Sequence, residues 1–323
     1  MRAAFVEKLG PAESIRHGEL PTPRPGQGEV LVRVSAVSVN PVDTFVRSGL
    51  YATEIPFPFV IGRDLVGAVH ELGEAVTGFS VGEQVWCSSL GHAGRQGAAA
   101  EFAVVGQDRL YRLPDGVDPV VAVAAAHPGS TAYLAVHEHG RAHAGQTVLV
   151  VGAGGNVGTA VVTMAAKAGA RVVAVASSAD EQRCLAAGAA EVLDRRGDWQ
   201  SEARVRHSDK VDVYVDAFGE NDLGLAVDLL APGGRIIVLA GARSAPVLPL
   251  GKLYMRDGSV IGFVISRAKP EQLGRAAAKV GELLAAGALA PKMIKTMPLS
   301  EAATAHALVE AGGMSGTRLV LLP

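Results

Sequence analysis

The sequence predicts an α/β protein in which a β-rich part is joined to a doubly wound parallel sheet. Residues 147–169, TVLVVGAGGNVGTAVVTMAAKAG, have the pattern of a buried strand, a glycine turn and a helix. After this segment apolar strands alternate with helical stretches, which is typical of a parallel sheet covered by helices. Before it, the first third of the chain contains mostly short strands between turns that carry Gly or Pro.

Length and composition limit the classes of protein to be considered. The chain has 323 residues, of which 49% are hydrophobic and 19% charged, and its formal net charge is −2. This allows two domains with large cores and argues against disorder. A near-neutral chain without a basic run argues against nucleic acid as a partner. Glycine and polar residues interrupt the apolar runs, so we expect a cytoplasmic protein that does not bind or cross a membrane.

The first third is predicted to be mostly β-structure. Residues 30–39 alternate in the manner of a half-buried strand, and the Pro-rich residues 21–28 before them form a loop. Other strands are predicted at residues 2–6, 64–72, 84–88, 100–105 and 110–113. The Ala-rich residues 118–140 then predict a helix that leads to the glycine turn.

The middle of the chain is predicted to supply the parallel sheet. Its strands are expected at residues 148–151, 171–176, 191–193, 211–216, 235–239 and 260–265. Helices are expected after the glycine turn, up to about residue 187, and up to residue 229. Two more helices follow: the first ends near residue 286, and the second covers residues 300–310. A last strand is expected at residues 318–322.

The glycine turn predicts a site for the pyrophosphate of a dinucleotide. Gly155 and Gly158 leave room for a close approach, and the helix that begins there directs N–H groups and the positive end of its dipole at an anion. The common fingerprint is matched as Ala153-x-Gly155-x-x-Gly158, with alanine at its first glycine. Such a turn can also serve only to pack a helix closely on a strand. The expected contacts come from Gly152, Ala153, Gly155, Asn156, Val157 and Gly158.

Three segments together resemble a known family. Residues 40–51 (NPVDTFVRSGLY), residues 62–67 (GRDLVG) and the glycine turn resemble the quinone oxidoreductase (zeta-crystallin-like) branch of the medium-chain dehydrogenase/reductases, over nearly the whole chain. The resemblance implies a GroES-like β-rich catalytic domain of residues 1–120 and 266–323 and a Rossmann dinucleotide-binding domain of residues 121–265, with the active site in the cleft. It also implies a nicotinamide cofactor, a quinone or conjugated carbonyl as the small-molecule substrate, and a homodimer.

The resemblance also argues against a metal. Zinc-dependent members have a Cys near residues 40–43 and a Gly-His-Glu where this chain has Gly62-Arg63-Asp64, which could be an internal ion pair. The two cysteines, Cys87 and Cys184, are isolated, and the three histidines at 137, 139 and 143 do not form an HExxH motif. We therefore expect no metal site.

The end of the second strand of the middle part bears on the choice of cofactor. An acidic residue usually binds the ribose 2′-OH there, but this chain has two serines, which favours NADP(H). Relatives that prefer NADPH carry a lysine where this chain has Asp180 and a tyrosine where it has Arg195, so the cofactor signal is mixed. Arginines could bind the 2′-phosphate instead, or could be solvated surface charges. The candidates are Ser177, Ser178, Arg183, Arg195 and Arg318, the last at a position where the family has lysine.

The remaining site residues follow from the resemblance. Asn40, Asp43 and Tyr51 are expected to line the catalytic pocket, and Tyr51 is expected to donate a hydrogen bond to the oxygen that becomes negative during hydride transfer. Asn40 and Asp43 are expected to fix the loop and contact the nicotinamide rather than exchange protons, and Asp43 could be purely structural. Phe45 replaces a second tyrosine of the family and makes the pocket more apolar. Further cofactor contacts are expected from Thr131, Gly241, Ala242, Phe263 and Val264.

Three functions are compatible with the sequence. The first is NADPH-dependent quinone reduction without zinc. The second is reduction of conjugated enals, enones or enoyl thioesters, which would use the same fold and donor with a different pocket. The third is an NADPH-binding sensor or a structural, crystallin-like protein with little turnover, a direction indicated only by Phe45. The sequence does not define the acceptor.

Overall fold

The computed structural model describes residues 1–312, 314 and 316–323. It divides the chain into two compact units. Unit 1 comprises Met1–His127 and Lys269–Pro323, and unit 2 comprises Pro128–Ala268. Both boundaries lie a few residues beyond the expected ones at 120/121 and 265/266.

The strands belong to three sheets. In chain order they are β1 (Arg2–Val6), β2 (Arg16–Glu19), β3 (Glu29–Val39), β4 (Phe59–Val60), β5 (Asp64–Leu72), β6 (Gln84–Cys87), β7 (Phe102–Gly106), β8 (Tyr111–Arg112), β9 (Thr147–Val151), β10 (Arg171–Ala176), β11 (Glu191–Asp194), β12 (Val211–Asp216), β13 (Leu230–Val238), β14 (Ser259–Gly262), β15 (Met293–Pro298) and β16 (Thr317–Leu322).

The helices lie between and after these strands. They are α1 (Pro41–Ser48), α2 (Pro119–Tyr133), α3 (Asn156–Lys167), α4 (Glu181–Ala186), α5 (Trp199–His207), α6 (Leu223–Leu229), α7 (Leu250–Tyr254), α8 (Pro270–Ala285) and α9 (Ala302–Ala311). A π-helical turn, Leu134–His139, continues α2. The stretch Pro119–His139 is the membrane-span candidate found among the described residues, and 67% of its apolar window is buried, as in a core helix of a soluble protein.

Unit 1 is built mostly on antiparallel β-structure, and only β15 and β16 pair in parallel among its described strands. Its larger sheet has the order β15-β16-β3-β5-β6-β8, with β7 also paired to β3, and its smaller sheet has the order β2-β1-β4. Strand β16, near the end of the chain, pairs with β3, near the start of the chain. In this pairing Leu319 is opposite Val39, the last residue of β3. This pairing brings residues of the C-terminal segment to the segment that precedes α1.

Unit 2 contains a parallel sheet with the strand order β11-β10-β9-β12-β13-β14. Numbered within the unit this is the order 3-2-1-4-5-6 of a dinucleotide-binding fold, and its central strand β9 is fully buried at Val148–Val151 in agreement with its unbroken apolar sequence. The predicted doubly wound sheet is thus confirmed. Ligands of such sheets bind beyond the carboxyl ends of the strands, where the strand order reverses beside β9.

Several elements differ from the predictions. Helices α1, α5 and α7 and strands β2, β4 and β15 were not expected. The last strand of the parallel sheet ends at Gly262 rather than residue 265, because Ile265 begins a short 3₁₀ turn and buries its side chain there.

Candidate functional site

The glycine turn joins β9 to α3 and opens the N-terminus of that helix. Gly152 has a φ of +80°, a conformation that favours glycine. A Cβ on Gly158 would lie 2.1 Å from the carbonyl oxygen of Gly152, so this glycine lets α3 pack on the turn. Gly155 is the N-cap of α3, where a Cβ would meet only the Gly152 oxygen at 3.3 Å. The turn therefore leaves the first N–H groups of a twelve-residue helix beside backbone without side chains.

An acidic side chain lies beneath this turn. The Asp180 carboxylate accepts a hydrogen bond from Ser177 Oγ at 2.8 Å, and a Cβ on Gly154 would approach it to 2.7 Å. Asp180 is 7% exposed. A carboxylate is thus present near the end of β10, although the sequence pattern of two serines suggests that this end is free of acid. It is turned inward and orders the Ser177 hydroxyl, while Ser178 is exposed.

Two arginines lie at the same edge of the sheet. Arg183 Nη1 donates to the carbonyl oxygen of Gly154 at 2.9 Å. The guanidinium of Arg195 lies over the ring of Phe218 at 4.4 Å and is 4.0 Å from Glu220. The Arg195 side chain is one-third exposed, which leaves part of the guanidinium accessible to an anion.

The loops after β12 and β13 are held by buried polar groups. The Asp216 carboxylate accepts from the backbone N–H groups of Phe218, Gly219 and Asn221 at 2.6 to 2.8 Å. Asn221 Nδ2 is so close to Gly241, which has a φ of +85°, that a Cβ there would approach it to 2.2 Å. These contacts fix the backbone on which the expected ligand-contacting residues Gly241 and the exposed Ala242 lie.

Three buried side-chain oxygen atoms of unit 2 have no hydrogen-bond partner among the described residues. They are Thr131 Oγ1, in α2, Asn156 Oδ1, at the first position of α3, and Asn221 Oδ1, in the loop after β12. Buried polar atoms are normally paired, so these atoms fit contacts to a ligand or water. Phe263 stacks on His139 with ring centroids 4.4 Å apart, and Val264 is 40% exposed, so both lie at a ligand-accessible strand end.

In unit 1, α1 begins with a hydrogen-bonded cap. Asp43 accepts from the backbone N–H of Asn40 at 2.8 Å, and Pro41 occupies the first helical position, where its missing N–H costs nothing. The helix ends at Gly49, whose φ is +84°. Two residues later the Tyr51 backbone N–H donates to the carbonyl oxygen of Phe45 at 3.0 Å. The cap and the end of α1 thereby place Tyr51.

A buried network of charged and polar side chains surrounds this cap. Asp64 Oδ2 accepts from Ser38 Oγ and from Asn40 Nδ2, both at 2.7 Å. Arg318 Nη2 donates to Asn40 Oδ1 at 2.6 Å, and its Nε donates to the carbonyl oxygen of Ala124 at 3.0 Å. We call Ser38, Asn40, Asp43, Arg63, Asp64, His127 and Arg318 the buried network.

The other two members of the buried network pair with its carboxylates. Arg63 Nε donates to Asp43 Oδ1 at 3.1 Å, and Arg63 is 1% exposed. His127 Nδ1 is 3.6 Å from Asp64 Oδ1. Two guanidinium groups therefore balance two carboxylates in an interior where an unpaired charge would be costly.

The two carboxylates differ in acidity. Burial raises the pKa of Asp43 above its ordinary value, although the Arg63 guanidinium opposes this. Burial acts in the same sense on Asp64, but His127 and hydrogen bonds from Ser38 and Asn40 outweigh it and hold the pKa of Asp64 below its ordinary value. Asp64 is therefore the better stabilised anion of the pair.

Tyr51, which lies outside the buried network, has a buried polar atom that forms no hydrogen bond within the described residues. That atom is its phenol oxygen, Oη. An unsatisfied buried hydroxyl costs about 1 to 3 kcal/mol and calls for an explanation, which a bound acceptor oxygen would supply.

The structure separates the predicted residues into two groups. The glycine turn, Ser177, Arg183 and Arg195 lie at the carboxyl edge of the parallel sheet, as expected. Arg318, by contrast, was expected to contact the cofactor, yet its side chain is buried in unit 1 and bonds to Asn40.

The structure also places two of the expected catalytic residues. Asn40 is 0% and Asp43 4% exposed, and both form hydrogen bonds within the buried network of unit 1. The ion pair of Arg63 in this network joins Asp43, whereas the sequence suggested its neighbour Asp64. Sequence reasoning missed Ser38, His127 and Asp216, and only the Asn-Pro-x-Asp cap at residues 40–43 could have indicated the network.

Two parts of the chain match known domain families. Residues 26–115 match the alcohol dehydrogenase GroES-like domain, and residues 156–280 match the zinc-binding dehydrogenase family. A GroES-like β-unit and a parallel sheet with a glycine turn define the class of medium-chain dehydrogenase/reductases.

Similar proteins narrow the class. The quinone oxidoreductase of Mus musculus is 31% identical over 329 residues, with 100% of this chain and 98% of the relative covered. The solved structure of the mycobacterial protein Rv1454c complexed with NADPH has a TM-score of 0.83 and 31% identity, and that of an NAD-dependent alcohol dehydrogenase has 0.87 and 30%, each covering 100% of both chains. The chain belongs to the quinone oxidoreductase (zeta-crystallin-like) branch of the medium-chain dehydrogenase/reductases, which confirms the family and fold class expected from the sequence.

Proposed function

We propose that this protein is an NADPH-dependent oxidoreductase that reduces quinones by hydride transfer without zinc. The observation that carries the proposal is the match, over 100% of the chain, with proteins named quinone oxidoreductase. The phosphate-binding turn of unit 2 and the buried phenol hydroxyl of unit 1 supply the groups that such a reaction needs.

The residues of unit 2 fit a dinucleotide. The N-terminus of α3 would hold the pyrophosphate through backbone N–H groups at Asn156 and Val157, in the way that helix N-termini bind anions. The unpartnered oxygens of Thr131 and Asn156 would take up further polar groups of the cofactor. The similar mycobacterial protein complexed with NADPH supports the same cofactor here.

The preference for NADPH over NADH would come from residues beyond the carboxyl end of β10. Arg195, whose guanidinium is partly exposed, would bind the 2′-phosphate together with Ser177, Ser178 and Arg183. Asp180 does not oppose this, because its carboxylate is turned inward under Gly154.

Unit 1 would contribute the chemistry at the acceptor. The nicotinamide, when bound, supplies the hydride, and negative charge develops on a quinone oxygen. The hydroxyl of Tyr51 would donate a hydrogen bond to that oxygen, which satisfies its buried Oη. Asn40 and Asp43 would act as positioning residues, because they fix the start of the helix after which Tyr51 follows. Phe45, in place of a tyrosine, would make the pocket more apolar.

Zinc has no role in this proposal, although one matching family is described as zinc-binding dehydrogenase. A zinc site needs three or four converging Cys, His or carboxylate ligands. No group of three His, Cys, Asp or Glu that could hold a metal occurs among the described residues. Where zinc-dependent relatives have ligands, this chain has Asn40 and the guanidinium of Arg63, and that donor set does not fit zinc.

The proposed function is tested by the loss of nicotinamide absorbance when NADPH or NADH is mixed with the protein and an aromatic ortho-quinone. We expect rapid NADPH oxidation, slower NADH oxidation and no effect of a chelator. Tyr51→Phe is expected to lower kcat about 10²-fold or more, as for loss of an oxyanion donor, with little change in the affinity for NADPH. Oxidation with an alkenal but not with the quinone would instead indicate double-bond reduction. Tight NADPH binding without turnover would indicate a sensor or structural protein.

We also propose that the protein is a cytoplasmic homodimer. Strand β14 is an edge of the parallel sheet and pairs with β13. The chain just before β14 carries the apolar residues Val247, Leu250, Tyr254 and Met255, which are 65 to 86% exposed. An open strand edge beside exposed apolar side chains favours pairing with a second copy about a twofold axis.

A further inference from the structure

A short segment of unit 1, residues 91–96 (GHAGRQ), lies against Tyr51. The imidazole of His92 is stacked on the Tyr51 ring, with centroids 5.6 Å apart and planes 8° apart. This is the offset-stacked geometry that aromatic rings prefer. The contact is made to Tyr51, whose buried hydroxyl has no hydrogen-bond partner among the described residues.

Backbone hydrogen bonds join this segment to the loop that carries Tyr51. The N–H of Ala93 donates to Thr53 Oγ1 at 3.0 Å, and the N–H of Gly94 donates to the carbonyl oxygen of Glu54 at 2.9 Å. Two hydrogen bonds thus connect the segment just after His92 to the loop just after Tyr51.

Both ends of the segment are fixed as well. Gly91 has a φ of +65°, and a Cβ there would lie 2.8 Å from the carbonyl oxygen of Gly62. Gln96 accepts from the N–H of Val60 at 2.8 Å and donates to the carbonyl oxygen of Pro58 at 2.9 Å. The imidazole is therefore presented by a backbone with little freedom to move.

We propose that His92 is a positioning residue for the phenol of Tyr51. Its stacked ring restricts the side-chain torsions of Tyr51, so that the hydroxyl keeps the direction needed to reach the acceptor oxygen. This inference rests on the proposed function, in which Tyr51 is the hydrogen-bond donor. A donor displaced by about 1 Å can cost up to about 10²-fold in rate, so the restriction is large enough to matter.

The inference is tested by combining His92→Ala and His92→Phe with Tyr51→Phe. We expect His92→Ala to lower kcat for an aromatic ortho-quinone about tenfold or more with unchanged KM for NADPH, and His92→Phe, which restores a stacked ring, to recover most of it. In the Tyr51→Phe protein, His92→Ala should cause no further loss, because the hydroxyl that it positions is gone. Wild-type activity in His92→Ala, or an equal loss in both backgrounds, would overturn the inference. His17→Ala, at an exposed histidine of unit 1, is the control.

A second measurement separates the inference from the proposed function. The protein has five tyrosines, so protein labelled with ¹³C-tyrosine should give five tyrosine signals in an NMR spectrum. The signal that is lost in Tyr51→Phe belongs to Tyr51. That signal should shift in His92→Ala, because the ring current of the imidazole is removed, and the other four should stay in place. An unmoved signal would overturn the inference, whereas a wild-type protein that reduces no quinone would overturn the proposed function.

Discussion

At the scale of single residues, the proposed site depends on side chains that the fold leaves only partly satisfied. Tyr51 has a buried hydroxyl without a partner among the described residues, and Arg195 has a guanidinium that is one-third exposed over Phe218. Other polar groups in these regions form hydrogen bonds within the protein. For example, the Asp180 carboxylate accepts a hydrogen bond from the Ser177 hydroxyl. Tyr51 and Arg195 are therefore the two side chains whose contacts to ligands we test first.

The first prediction concerns the cofactor phosphate. Arg195→Ala should raise the Kd for NADPH about tenfold or more, because a charge-assisted hydrogen bond contributes about 1.5 to 3 kcal/mol, and should leave the Kd for NADH nearly unchanged. Titration of both cofactors by fluorescence or calorimetry measures this. Arg196→Ala, at the exposed neighbouring arginine, is the matched control. An equal weakening of both cofactors would show that Arg195 does not contact the 2′-phosphate.

The second prediction concerns a buried histidine. His306 is 1% exposed, and burial together with the nearby Arg47 lowers its pKa to about 3 from an ordinary value of 6.5. Because the folded-state pKa is below the unfolded one, the stability from the neutral ring is complete above pH 6.5 and is lost as the pH falls towards 3. Each pH unit in this window should remove about 1.4 kcal/mol from the free energy of unfolding.

The test compares urea unfolding of the wild type, His306→Gln and the exposed-site control His17→Gln at pH 7.5 and pH 5. We compare the free energies of unfolding of the wild type and His306→Gln. From pH 7.5 to pH 5 the wild type should lose about 2 kcal/mol more than the variant. His17→Gln should follow the wild type. A difference between wild type and His306→Gln that is the same at both pH values would contradict the assignment.

At the scale of elements, the start of α1 is fixed by groups from distant parts of the chain. Asn40 and Asp43 belong to α1 and its cap, Asp64 begins β5, and Arg318 is in β16. Replacing Arg318 by Met should therefore lower the free energy of unfolding by about 3 to 5 kcal/mol, because it removes one of the two guanidinium groups that balance the buried carboxylates and leaves the oxygens of Asn40 and Ala124 without this donor. Denaturant unfolding checks this.

The control for Arg318→Met is Arg112→Met, which removes an exposed arginine paired with Glu83. Its effect should stay within about 1 kcal/mol, as for other surface ion pairs. If both variants lose the same stability, the buried network does not depend on its guanidinium groups as argued. Arg318→Lys keeps the charge but not the planar fork, so an intermediate loss is expected.

The same elements show what the sequence can and cannot predict. The strands of the parallel sheet were predictable, because β9 and β10 are buried on both faces and are apolar throughout. Helix α1 was missed, although its Asn-Pro-x-Asp cap is visible, because eight residues carry little periodicity. The bond from Arg318 to Asn40 joins residues 278 apart. It depends on β16 lying beside β3, which no local pattern encodes.

At the scale of the whole molecule, the parallel sheet of unit 2 has two edges with different character. The edge at β11 carries Glu191, which is paired with Arg171, Arg206 and His207. At the other edge, Val260 and Ile261 of β14 are half-buried. The chain before β14 has exposed apolar residues in α7 and just before it. Charged side chains protect a strand edge against pairing, so the β14 edge is the one expected to meet a second copy.

This asymmetry leads to the last prediction, which concerns the homodimer. The wild type should have twice the chain mass of 33.2 kDa in light scattering, and Leu250→Arg combined with Met255→Arg should shift it to the monomer mass. Both side chains are at least 65% exposed in the single chain, so the variant should keep its secondary structure, and charges there oppose apolar association. Val205→Arg, at an exposed apolar residue of α5, should remain dimeric. If the double variant stays dimeric while Val205→Arg dissociates, the interface lies on the opposite edge of the sheet. That edge is β11, and α5, which carries Val205, follows β11 in the chain.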